Sequence, residues 1–443
     1  VTGDFRAGAA ELVITPPLGV DIYGAYHRER AEKILSDLYA RALVLDDGET
    51  AVAIICLDVC VVPPEVAQAV SLRIEESAGI PASQIMLTCT HTHTGPAVAA
   101  TPWYGPDSAY VDVLTRRIAD AAVTAHQRLT PARLLAGKGQ ESSVSFHRRF
   151  WMKDGTLRTN PDYQDPNIVR AAGPIDPDVL VLRVEKLDGK PLALLVNFAM
   201  HPAIVGGLDF VDGPSISADF PGALAQVLKD TYGQDVAVLF ANGACGNINH
   251  RDRSKQGPQV GQAVADAIGS ILAGEVIKTH ARLDPIDTSG PIRYAARDVD
   301  LALRVPTAEE LAWAQGFEKS EMYVMDAAGM EVVRAHRILG LWKQEGTHAS
   351  VVVQAVIIGS FAYVTLPGEP FAELGMAIKS GSPYPHTLVG ELNGKTTVGY
   401  IPTASEFDKG GYEDVSSNVV PGSGERLVEV ALELLGTGVT AGT

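Results

Sequence analysis

Short apolar runs closed by Gly or Pro alternate along this chain with longer amphipathic stretches. Ala51–Leu57 reads as a strand, Pro64–Ala78 as a helix and 84–89 as a second strand, which together predict a βαβ unit. A second unit is predicted from the buried run 191–200, a helix over 219–232 and the strand that starts at Val236. Further on, the pattern predicts a long strand over 292–303, helices over 307–317 and 329–345, adjacent strands over 350–358 and 361–366, and a last helix over 425–435. The stretch 325–329 reads as a surface loop, and no internal repeat or low-complexity tract is present. The expected class is α/β, with mixed sheets and flanking helices.

Three of the predicted strands end on side chains that can ligate a metal. Thr90-His91-Thr92-His93-Thr94-Gly95-Pro96 directly follows Ile85-Met86-Leu87. Alternation on a strand would put His91 and His93 on one face, and Gly95-Pro96 would then turn the chain at a pocket edge. Two imidazoles there suit a divalent transition metal, zinc first; a pair of solvated or hydrogen-bonded histidines is the alternative of equal weight. The 191–200 run ends at His201-Pro202, where proline keeps the histidine out of the helical region. A lone histidine at such a place is more often a structural hydrogen-bonder than a ligand. Glu369 follows the apolar run Ala362-Tyr363-Val364-Thr365 within Leu366-Pro367-Gly368-Glu369-Pro370. His91, His201 and Glu369 together would make an open zinc site with room for water. Asp219, at the start of the second unit's helix, is expected either to cap it or to orient His201.

Several separated segments then converge on one family. These are Ile14-Thr15-Pro16-Pro17-Leu18-Gly19, the Thr90–Pro96 segment, Asn197-Phe198-Ala199-Met200-His201, Ile216-Ser217-Ala218-Asp219-Phe220-Pro221-Gly222, Pro367-Gly368-Glu369, Gly399-Tyr400 and Tyr412-Glu413. In this order and spacing the chain resembles the catalytic domain of the neutral, non-lysosomal ceramidases and their short bacterial relatives. The resemblance implies Zn2+ held by His91, His201, Glu369 and Tyr400, with His93 beside the metal handling protons. It implies that Tyr412 hydrogen-bonds substrate near the reacting carbonyl. It also implies a site arginine at Arg148, although His147 stands where the family has Asn, which leaves Arg148 and Arg149 both open. The reaction implied is N-deacylation: a metal-activated water cleaves the amide of an N-acyl compound, ceramide-like or a smaller N-acyl amine. Arg148 or a tyrosine hydroxyl would stabilise the oxyanion. A zinc hydrolase acting on an ester, lactone or glycosidic bond, or a metal-free binding protein on the same fold, are the alternatives. The 242–249 loop departs from the family's Gly-Asp-Val-Ser-Pro-Asn and offers no nucleophilic serine, so it is expected to shape a pocket wall.

Composition narrows the picture. With 443 residues and 46% hydrophobic content the chain can bury a large core, and it has no apolar stretch long enough to span a bilayer. Because the expected ligands run from His91 to Tyr400, residues 1–443 are expected to form one catalytic unit, without the C-terminal β-sandwich of full-length ceramidases. A net charge of −17 argues against nucleic acid or an anionic membrane as the main partner. The expected partner is a small-molecule N-acyl substrate, with homo-oligomerisation left open. Cys56, Cys60, Cys89 and Cys245 lie in or beside apolar runs without a Cys-x-x-Cys pair, as reduced core thiols would. A cytoplasmic location is expected; since residue 1 is Val, secretion or the periplasm stays the alternative.

Overall fold

Strands covered on both faces read as continuous apolar runs, and Tyr39–Asp46, Ala51–Leu57 and Ile85–Cys89 are of this kind, buried along nearly their whole length. They belong to a nine-stranded mixed sheet in a computed structural model that describes residues 5–206, 210–257, 259–324, 326–344, 346–394 and 398–436. Across this sheet the order is Ala237–Asn242, Pro191–Phe198, Asp178–Lys186, Thr130–Gln140, Arg6–Val13, Tyr39–Asp46, Ala51–Leu57 and Ile85–Cys89, with Asp284–Ile286 added beside Thr130–Gln140. The interior pairings are antiparallel, and the last pair at each end is parallel. Pro64–Ala78 and Ser108–Gln127 cover one part of the sheet through Val66, Val70, Ile74, Leu114 and Ile118. Asp219–Tyr232 and Gln262–His280 cover another through Phe220, Leu224, Leu272 and Val276.

A second, four-stranded sheet of Arg293–Ala302, His348–Ile358, Phe361–Thr365 and His386–Gly390 stacks on the first. Val356, Ile358, Phe361, Tyr363 and Leu388 meet Leu43, Ile54, Leu195 and Leu239 in the shared core. The helix Ser423–Gly436 packs through Leu427, Val430 and Leu434 on its other face. This is the mixed α/β class the sequence predicts. The two βαβ units read from sequence are present, and a third, unread, is formed by Phe361–Thr365, Ala372–Gly381 and the parallel strand His386–Gly390.

The loop expected over 325–329 is not one. Asp326 accepts a hydrogen bond from the Gly329 amide (2.8 Å) and caps a helix that runs from Ala327 to Lys343. Met325 and Glu345, which bound the expected loop and helix, lie outside the described residues. Over 307–317 the helix is a seven-residue α segment opened by a Thr307/Glu310 capping box, then a 3₁₀ turn. All four cysteines are unpaired and buried. No helix among the described residues is long and apolar enough to cross a membrane.

The large sheet curls until its two edges meet. Ala237–Asn242 and Ile85–Cys89 stand at opposite ends of the strand order, yet the Asn242 side chain donates to the Thr90 carbonyl (3.3 Å). Asn197 ties the second sheet in, its amide donating to the carbonyls of Ala241 and Val389, both at 2.8 Å. The carboxyl ends of the parallel strands of all three βαβ units are thereby brought to one place, where α/β proteins commonly bind ligands.

Candidate metal centre

Each residue just past those strand ends contributes to one cluster. His91 follows Ile85–Cys89, His201 follows Pro191–Phe198, and Glu369 follows Phe361–Thr365. Cys60, Cys245 and Glu391 occupy the exits of the three partner strands. His91 Nδ1 lies 2.9 Å from the Cys60 carbonyl, His201 Nδ1 3.0 Å from that of Cys245, and His93 Nδ1 3.1 Å from that of Gly24. A carbonyl only accepts, so in the neutral rings Nδ1 carries the hydrogen and Nε2 presents its lone pair.

These lone pairs face one another and a carboxylate. His91 Nε2 is 3.1 Å from His201 Nε2, and Glu369 Oε2 is 3.3 Å from the first and 3.2 Å from the second. Glu369 Oε2 is buried with no hydrogen-bond partner among the described residues. Burial opposes the charge on Glu369, but a proton on His91, and then His201, more than offset it and hold the carboxyl well below the usual carboxylate range. Cys60 and Glu369 in turn raise the His91 pKa against burial, and a metal ion would supply the same positive charge. Acceptors converging in a buried place need a cation between them, and two imidazoles with a carboxylate are a donor set that zinc accepts. The residues therefore fit a metal ion. Cys60 Sγ also lies 3.3 Å from His91, but at Nδ1, on the far edge of the ring.

Tyr400 enters through a two-residue parallel pairing of Glu369–Pro370 with Tyr400–Ile401, which brings its hydroxyl to 3.4 Å from His201 Nε2. His93 stands on the other side, its Nε2 3.4 Å from His91 Nε2. Its ring presses on Gly24, where any side chain would collide with it and φ is +121°. Desolvation, then the rings of His91 and His201, push the His93 pKa well below its ordinary value, so the ring is neutral.

Arg148 is the arginine that faces this cluster. Its guanidinium lies over the rings of Tyr400 (5.2 Å) and Tyr412 (5.8 Å), held by Glu413 (2.6 Å) and the Gly246 carbonyl (2.6 Å). Arg149 turns away to Glu406 (2.5 Å), the Gly410 carbonyl and the Phe371 ring. Tyr412 hydrogen-bonds the hydroxyl of Tyr26. Two cavities of about 390 Å³ each flank the centre. One is lined by Tyr23, Trp103, Tyr104 and Leu392 beside Glu369, the other by Arg148, His201 and His250, and His93, Tyr26 and Tyr412 stand between them.

Two expectations need correcting. His91 and His93 do not converge through strand alternation, because the strand stops at Cys89. They meet because His91 takes the left-handed conformation (φ 71°), which folds the chain so that the rings pack edge to face, 4.8 Å apart. Asp219 does not hold the His201 ring, whose two nitrogens face Cys245 and Glu369. It accepts instead from the amides of Ile204 (2.9 Å), Val205 (3.0 Å) and Phe220 (2.7 Å), clamping the loop that follows His201. Ala218 occupies the cap position, but the expected capping of a free amide is present, since Asp219 accepts from the first-turn amide of Phe220.

The 242–249 loop lines the centre as expected, though its backbone acts more than its side chains. The Cys245 carbonyl orients His201 and the Gly246 carbonyl holds Arg148. Sequence reasoning gave no role to Tyr26, Glu413 or Glu391. Glu413 was visible only as the neighbour of Tyr412, and the orienting carbonyls carry no side-chain signature at all.

The fold is shared with solved ceramidases. A crystal structure of neutral ceramidase from Pseudomonas aeruginosa matches with a TM-score of 0.74 at 16% identity, covering 98% of this chain and 74% of that one. A ceramidase complexed with C2 also matches at 0.74 and 16% identity, covering 100% and 77%. Among curated relatives, neutral ceramidase A of Dictyostelium discoideum is 27% identical over 175 residues, 37% of this chain and 23% of the relative. Neutral ceramidase B of the same organism is 28% identical over 125 residues, 27% and 16% of the two chains. The matched part thus spans under a quarter of the length of these curated relatives. Residues 5–247 match the family described as neutral/alkaline non-lysosomal ceramidase, N-terminal. The chain belongs to that family.

Proposed function

We propose that the chain is a zinc-dependent hydrolase that cleaves the amide bond of an N-acyl compound, ceramide or a smaller N-acyl amine. The carrying observation is the convergence of the Nε2 lone pairs of His91 and His201 on the unpartnered Oε2 of Glu369. These three would hold the ion, with the Tyr400 hydroxyl as a fourth ligand. When bound, zinc lowers the pKa of a water from about 15.7 toward 7 and polarises the carbonyl beside it.

The remaining work falls to this chain's side chains. His93 is neutral and stands between the two cavities, so it can take a proton as the nucleophile's oxygen bonds to the carbonyl carbon. It then returns that proton to the nitrogen as the carbon–nitrogen bond breaks, leaving a carboxylic acid and an amine. Arg148 and the Tyr412 hydroxyl, fixed by Glu413 and Tyr26, are suited to stabilise the negative charge on the carbonyl oxygen. Family membership supports an amide as the bond cleaved. The test is elemental analysis of His201→Ala beside the unaltered protein, with hydrolysis of an N-acyl amine followed in both. The expected result is zinc at about one per chain in the parent and loss of both zinc and activity in the variant. An active variant without metal would overturn the proposal.

A further inference from the structure

Glu391 is a fully buried carboxyl group that the proposed chemistry leaves without a task. It stands at the exit of His386–Gly390, and its amide donates to the Asn242 carbonyl (3.0 Å), which pins it to the neighbouring exit. One oxygen, Oε2, accepts from the Cys245 amide (3.0 Å). The other, Oε1, accepts from the Asn242 side chain (3.2 Å) and the Cys245 thiol (3.1 Å). Glu391 thus grips Cys245 at both its amide and its side chain, and the Cys245 carbonyl in turn faces His201 Nδ1 at 3.0 Å. This chain of contacts ends on a candidate metal ligand, and carboxylates placed behind a ligating histidine commonly fix its orientation.

The charge of Glu391 asks for more than these hydrogen bonds give. Its three donors are neutral, and among the described residues no lysine, arginine or histidine lies within ion-pair distance of it. A carboxylate taken out of water needs a cation nearby. Burial, relieved in part by a proton on His91, pushes the carboxyl up to about 8, so the metal-free chain disfavours the charged form. The centre has the complementary surplus. Two neutral imidazoles and the Glu369 carboxylate balance one of the two charges of a zinc ion, and the Tyr400 hydroxyl adds none. Arg148 is matched by Glu413. One positive charge is left over, and Glu391 is the carboxylate that an adjoining strand exit supplies. Both of its oxygens are already engaged, so it acts on the ion from a distance rather than as a ligand.

We propose that Glu391 is a positioning residue of the metal centre: it holds the Cys245 backbone that aims His201, and it supplies the second negative charge against the dication. This rests on the reading of the centre as a zinc site. A residue that only props the fold and one that serves the ion differ in the metal-free protein. There the folded state must either bury the charge of Glu391 or hold a proton on it, and glutamine, of the same shape, requires neither. The test compares the unaltered chain with Glu391→Gln at about pH 7.5, by urea unfolding of the metal-free proteins and by zinc affinity in competition with a chromophoric chelator. The metal-free midpoint of the variant should equal or exceed that of the unaltered chain, while its zinc affinity should be about 10–100-fold weaker. Unchanged affinity overturns this inference and leaves the zinc centre standing. A weaker affinity that comes with a lower metal-free midpoint, or a variant that does not fold, overturns it equally, since either makes Glu391 a support of the fold. Absence of zinc binding in the unaltered chain overturns the centre itself, and this inference with it.

Discussion

His93 and Asp219 are the two residues whose surroundings separate chemistry from support. With its Nδ1 on the Gly24 carbonyl and its Nε2 3.4 Å from His91 Nε2, His93 is placed to move protons beside a metal that other residues can hold. His93→Ala should retain zinc by elemental analysis while losing about 10²–10⁴-fold in kcat, the range of a positioned acid–base group. Amide substrates should suffer more than esters with good leaving groups, since an amine must be protonated as it departs. Equal losses on both would count against the role. Asp219 should show itself in stability. Burial, opposed by three backbone amides, raises its pKa to about 6. A carboxyl with a raised folded-state pKa binds its proton more tightly when folded, so its contribution is full below the unfolded value of 3.8 and is lost as pH rises through about 6. The stability gap between the unaltered protein and Asp219→Asn in urea titrations should therefore narrow from pH 4.5 to pH 7. Both proteins keep the same histidines, so metal linkage cancels in the comparison. A gap constant across that range would contradict the assignment.

Among the elements, the site belongs to the six strand exits. Parallel strands point their carboxyl ends the same way, so three βαβ units whose exits face inward can deliver two histidines, a glutamate and the carbonyls that orient them. The exits must then pack closely. The Gly246 amide donates to the Pro370 carbonyl (2.9 Å), and a Cβ at Gly246 would meet the backbone carbonyl of Glu369. Gly246→Ala should push the Glu369 strand end outward and weaken zinc binding by about 10–100-fold, the usual effect of disturbing a ligand's support. Competition with a chromophoric chelator would measure it, and unchanged affinity would show that the two exits move independently.

At the scale of the whole molecule, the centre exists only while the curled nine-stranded sheet and the four-stranded sheet stay together. Asn197 is fully buried and bridges them. Asn197→Ala strips the carbonyls of Ala241 and Val389 of a donor and should cost about 2–4 kcal/mol in urea unfolding. Since Glu369 comes from the second sheet and both histidines from the first, zinc affinity should fall as well. A variant as stable as the parent would mean the apolar contacts alone hold the sheets in register.

Local pattern and motif carry information that does not depend on long-range packing, and there the sequence was enough by itself. Apolar runs with Gly or Pro breaks are legible because burial on both faces requires them, which is how Ala51–Leu57, Pro64–Ala78 and the strand ending before His91 could be read. The family was legible because its motifs keep their order and spacing along the chain. The unread third βαβ unit and the misjudged start of the helix at Ala327 show where propensity was too weak to mark a boundary. What only the tertiary structure decided was how the strand exits meet. The left-handed turn at His91, the choice of Arg148 over Arg149, and the clamp from Asp219 to the 204–205 amides all depend on partners far away in sequence. The carbonyls of Gly24, Cys60 and Cys245 that aim the three rings are backbone atoms common to every residue type, and only the curl of the sheet determines which of them a ring will face.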